Sequence, residues 1–136
     1  MENEKDILEM VVMEIETWTR SCTRKADKYQ KDMDEDYVHF FCWHSEDMYK
    51  VQLKQKEYLE LEKAASRGSL DDVKEYLRHT AEHYSDDLIY GSVQNHSTDT
   101  SFNTAHLLEK EVKQDIVREY KSLLGYIAKQ EAKTAD

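Results

Sequence analysis

The chain has no proline and only three glycines, Gly68, Gly91 and Gly125, in 136 residues. Proline and glycine are the strongest local punctuators of secondary structure. A sandwich of many short strands needs a turn signal every 8–12 residues or so, and such signals are missing here. Long helices are what remains. Length sets one domain as the prior. The 29 acids and 19 bases give a formal charge of -10, with 39% of residues hydrophobic and 35% charged. That balance argues against direct nucleic-acid binding and admits a basic protein partner. No stretch approaches the ~20 apolar residues of a membrane span. The acidic start, Met1-Glu2-Asn3-Glu4-Lys5-Asp6, lacks the basic region of a secretory signal. Cys22 and Cys42 have neither metal-finger nor redox spacing, so a cytoplasmic location with reduced thiols is expected.

Hydrophobic periodicity predicts an all-α, antiparallel bundle of four helices at about 4–31, 34–66, 70–90 and 102–131. In the first helix the inward stripe is Leu8, Val11, Ile15, Trp18, Cys22, Ala26, Tyr29 and Met33. Met10 and Met13 lie off it and add adaptable apolar surface. Asp32 or Asp34 is expected to cap the second helix. That helix carries Tyr37, Phe41, His44, Met48, Val51, Gln55, Tyr58 and Ala65 on its main face. Val38, Cys42, Tyr49 and Leu53 form a second stripe, and Phe40, Trp43 and Leu61 fall on the opposite flank. Segment 37–43 is therefore apolar nearly all round, more than one neighbouring helix can cover.

Gly68 ends this helix and Ser69-Leu70-Asp71-Asp72 reads as a capping box. The run from Ala64 to Leu77 resembles the helix-turn-helix of an ankyrin repeat over those residues alone, with no second copy at a period of about 33. The resemblance implies a shared turn. Leu70, Val73, Leu77, Ala81, Tyr84 and Leu88 face inward in the third helix. Residues 92–101 are expected to form a polar loop. Ala105, Leu108, Val112, Ile116, Leu123 and Ile127 stripe the fourth helix, in which Gly125 marks close packing or a kink. Residues 132–136 are expected to fray.

Chemistry is sparse. His79, His83 and Asp87 offer i, i+4 spacing, which can set two imidazoles on one metal ion. His79 and His83 lie roughly 110–150° from the core stripe at 100° per residue, so exposed histidines are the simpler reading. His44 reads as a hydrogen-bonded polar spot. No phosphate-binding loop, nucleophile elbow or zinc-finger pattern appears, so neither a cofactor nor catalysis is expected. The aromatic excess, nine tyrosines and two tryptophans, suits an interface. The expected partner-binding residues are Tyr37, Val38, Phe40, Cys42, Trp43, Tyr49 and Leu53. Residues 1–16 hold six acids and one lysine, and residues 69–91 six acids and two bases. Glu9, Glu16, Asp71, Asp72, Glu75, Asp86 and Asp87 could thus form one acidic face.

The leading expectation is a non-catalytic regulator or inhibitor that occupies a protein partner's surface, a basic nucleic-acid-binding protein being one candidate partner, with the chain itself expected to be a dimer. A phage or mobile-element accessory protein of the anti-CRISPR type fits that size and charge. Two other readings are a metal-binding bundle or metal-dependent hydrolase using His79 and His83, and a structural homodimer.

Overall fold

A computed structural model describes residues 2–90 and 99–134. It contains five helices: α1 (Glu2–Glu35), α2 (Tyr37–Trp43), α3 (Ser45–Ser66), α4 (Leu70–Tyr90) and α5 (Thr100–Thr134). No strand occurs among the described residues. The protein is all-α.

The long second helix expected at 34–66 is broken twice. α1 continues through Asp32, Asp34 and Glu35, so these acids sit inside it and do not cap α2. Asp36 is the cap. Its backbone leaves the helical region at φ -153°, ψ 88°, and its carboxylate accepts a 3.1 Å hydrogen bond from His39 N–H. The second break is at His44, with φ -131° and ψ -2°. Backbone bonds bridge both joints, from Asp36 N to Asp32 O at 2.8 Å and from His44 N to Phe40 O at 2.7 Å. Each joint re-phases the next helix. As a result Phe40 is buried while Tyr37 and Phe41, expected on the inward stripe, face outward. Leu61, expected on the far flank, is fully buried.

Side-chain contacts give the helix directions. Thr19 donates to Glu62 at 2.7 Å, and Tyr29 stacks on His44 at 5.2 Å, so α1 and α3 run antiparallel. Gly68, at φ 80°, turns α3 into α4, and Ser69 Oγ accepts from Asp72 N–H at 3.4 Å. Lys74 meets Glu131 at 3.0 Å and Lys113 meets Asp87 at 3.1 Å, which sets α4 antiparallel to α5. Lys50 with Glu111 and Lys54 with Asp115, both at 3.1 Å, set α3 parallel to α5.

The core forms where the stripes meet. Val11 and Ile15 of α1, Leu61 of α3, Val73 and Leu77 of α4, and Ile116, Tyr120 and Ile127 of α5 are fully buried. Residues 132–134, expected to fray, belong to α5, as do Thr100 and Ser101 of the expected loop. The rest of that loop, 92–98, and residues 135–136 lie outside the described residues.

Candidate functional site

α2 is the least covered element of the bundle. It is seven residues long, and four of its large side chains point outward: Tyr37 at 60% exposure, Val38 at 72%, Phe41 at 61% and Trp43 at 71%. Cys42 is exposed beside them. The break at His44 explains this. A helix as short as α2 has one inward position per turn to offer, and Phe40 takes it.

Of the seven residues expected at the partner face, Tyr37, Val38, Cys42 and Trp43 are thus exposed on α2. Phe40 is a core residue. Tyr49 and Leu53 are half-buried in α3, where the Tyr49 hydroxyl donates to Glu109 at 2.9 Å and Leu53 packs on the core. Phe41, assigned to the core by periodicity, joins the exposed set, its ring 6.2 Å from that of Tyr37.

Acids surround this helix. Residues 32–47 contain Asp32, Asp34, Glu35, Asp36, Glu46 and Asp47 and no lysine or arginine. Further exposed apolar side chains, Ile89, Phe102 and Leu107, belong to the same end of the bundle, where α4 finishes and α5 starts. The other acids of interest are spread over α1 and α4. Glu9, Glu16, Asp71, Asp72, Glu75 and Asp86 are exposed. Asp87 is half-buried and engaged by Lys113 at 3.1 Å and by His83 at 3.7 Å. His79 is exposed, and the donor atoms of His79, His83 and Asp87 do not converge. Among the described residues the cluster that does converge is Asp32, His39 and His44, with one donor atom from each within 4.8 Å of the others.

A groove of about 810 Å³ lies between α1 and α5, lined by Trp18, Leu123, Met10, Met13 and Tyr126.

At the centre of the bundle lies a polar assembly outside the expected site residues. Glu57 of α3 is 9% exposed. Its carboxylate accepts hydrogen bonds from Tyr76 at 2.6 Å, Tyr84 at 2.7 Å and Tyr120 at 2.7 Å. The adjoining residue extends the assembly: Tyr58 donates to Glu119, and Trp18 lies over both Tyr58 and Tyr120. Burial, then the Glu57 carboxylate, pushes the phenols of Tyr76, Tyr84 and Tyr120 far above the ordinary tyrosine range. Burial and Glu119 do the same to Tyr58. Phenols held this firmly protonated are hydrogen-bond donors and poor nucleophiles. Their role is to satisfy a buried charge. Burial likewise raises the Cys22 thiol, which makes it a packing group. Asp115 moves the other way: burial raises its carboxyl, but Lys54 and Arg118 outweigh that and hold it low.

A sequence signal for Glu57 existed. Leu53, Glu57 and Leu61 are spaced by four, and Tyr120 fills the gap between Ile116 and Leu123 in the α5 stripe. No helix among the described residues is long and apolar enough to cross a membrane. No protein family, curated protein or solved structure matches the chain significantly.

Proposed function

We propose that this is a non-catalytic binding protein, a small acidic regulator or inhibitor that docks through α2 onto a basic protein surface. The observation that carries the reading is the exposure of Tyr37, Val38, Phe41 and Trp43 on one short helix. Large apolar side chains exposed within a polar rim mark an interaction surface. Trp and Tyr are the residue types that anchor interfaces, and full burial of each apolar side chain here contributes about 1.5–3 kcal/mol before association costs.

Charge selects the kind of partner. A two-fold homodimer puts the same patch on both subunits. Two copies meeting through α2 would set Asp34, Glu35, Asp36 and Glu46 against themselves. A partner with a lysine- or arginine-rimmed apolar pocket meets both the aromatic centre and the acidic rim, and gains association rate from long-range attraction.

The test is affinity capture on the wild-type chain beside Trp43→Ala and Val38→Asp, with circular dichroism as the folding control. Supporting the proposal would be a basic protein held by the wild type, lost from both variants at unchanged helicity, and released by rising salt. Equal capture by all three chains would contradict it, and so would a wild type that sediments as a dimer disrupted by Trp43→Ala.

A further inference from the structure

We propose that Asp32, His39 and His44 form a binding site for a zinc-class divalent cation, independent of any partner at α2. The three residues come from three elements: the last turn of α1, the middle of α2, and the joint between α2 and α3. The two helix breaks bring them together. His39 Nδ1 lies 3.1 Å from Asp32 Oδ2, and His44 Nε2 lies 3.9 Å from the same oxygen. Ligands about 2.0–2.2 Å from a tetrahedral zinc ion stand about 3.3 Å from one another, so small side-chain rotations suffice. Two imidazoles and one carboxylate are a borderline donor set, suited to zinc or cobalt and poorly suited to magnesium or calcium.

The surroundings favour the same ligand. The second ring nitrogen of His44, Nδ1, is buried and makes no hydrogen bond; the Asp47 carboxylate is 4.0 Å away. Metal-ligating histidines pass their other N–H to a carboxylate, which fixes the tautomer and strengthens the ligand. With a cation on Nε2, His44 Nδ1 must carry the proton, and Asp47 is placed to accept it. Tyr29 stacks on the His44 imidazole at 5.2 Å and limits its rotation. Asp36, capping His39 N–H, fixes the start of α2. Two histidines, one carboxylate and one open position for water would complete a four-coordinate ion. Such an ion would tie α2 to α1 and to the head of α3.

The experiment is calorimetric titration of zinc chloride into the full chain without a histidine tag, paired with the absorption spectrum of the cobalt(II) form. One zinc per chain is expected, with cobalt giving the intense visible bands of a four-coordinate site. His39→Ala with His44→Ala should weaken zinc binding by more than about 100-fold, and Asp47→Asn by about 10–100-fold. His79→Ala with His83→Ala should leave it unchanged. Should the double variant fail to fold, the wild-type cobalt spectrum and Asp47→Asn still decide. Absence of stoichiometric binding would overturn the proposal, as would six-coordinate cobalt, unaltered affinity in Asp47→Asn, or binding lost only with His79 and His83.

Discussion

The Tyr120 hydroxyl of α5 donates a 2.7 Å hydrogen bond to Glu57 Oε2 of α3, deep between the helices. Tyr76 shares the same oxygen and Tyr84 takes the other. One buried acid thereby ties α3 to both α4 and α5. Hydrogen bonds to a charged group contribute about 1.5–3 kcal/mol each, and a buried charge stripped of partners costs more. Tyr120→Phe should therefore lower unfolding stability by about 1.5–3 kcal/mol. Glu57→Ala, which strands three hydroxyls and opens a gap, should cost at least about 3 kcal/mol. Urea denaturation of the two variants checks both. A loss below about 0.5 kcal/mol for either would mean that the cage does not help hold the bundle together.

The same cage sets the alkaline limit of the fold. In the unfolded chain the phenols titrate near about 10, whereas in the folded chain Tyr58, Tyr76, Tyr84 and Tyr120 titrate well above that. A raised folded value contributes stability that is fully present below the unfolded pKa and lost as pH rises beyond it. Stability should be flat with respect to these groups up to about pH 10 and fall steeply above it. Following helicity and tyrosinate absorbance together would show four phenolates appearing only as helix is lost. Gradual ionisation of all nine tyrosines with helicity intact would count against the cage.

Within α2, burial divides neighbours. Phe40 is 6% exposed, Phe41 61% and Trp43 71%. Phe40→Ala should cost about 3–5 kcal/mol, while Phe41→Ala and Trp43→Ala should stay within about 0.5 kcal/mol of wild type. Thermal melts of the three variants separate the cases. A Phe41 variant as unstable as the Phe40 one would place the inward face of α2 elsewhere.

Two glycines should respond in opposite directions to the same substitution. Gly68 sits at φ 80°, and a side chain there meets no atom within 4 Å, so Gly68→Ala carries backbone strain alone, about 1–2 kcal/mol destabilising. Gly125 is inside α5, and an added methyl also meets nothing within 4 Å. It therefore marks neither close packing nor a tight contact, and Gly125→Ala should stabilise by about 0.8–1 kcal/mol. Chemical denaturation of the pair decides; a destabilising Gly125→Ala would point to a bend in α5 that needs the glycine.

Much of this architecture could be read from residue spacing, and the exceptions share a cause. The stripes of α1, α4 and α5 keep one phase from end to end, so Val11, Ile15, Val73, Leu77, Ile116 and Ile127 fall where a 3.6-residue period puts them. The stretch from Tyr37 to Trp43 defeats that reasoning because no proline or glycine announces the joints at Asp36 and His44. Carrying one phase across them turns Phe40 outward and Phe41 inward, the reverse of the structure. Glu57 escaped notice because a lone acid in a charged helix looks like surface until its three tyrosines, from two other helices, are in place. Asp32, His39 and His44 obey no ligand spacing, since it is the chain reversal through the breaks at Asp36 and His44 that brings them together. The aromatic richness of residues 37–43 needs no phase to be read, and four of the large apolar side chains there, Tyr37, Val38, Phe41 and Trp43, are exposed in the structure.

The claim that α2 is a docking helix is tested most directly by a photo-activated crosslinking residue placed at Val38, in cells that produce the protein, with the same residue at exposed Lys63 as the comparison. One heterologous adduct is expected from position 38, to a basic protein, absent from position 63 and abolished by Trp43→Ala. An adduct of the chain with itself, equal yields from both positions, or no adduct at position 38 would contradict it.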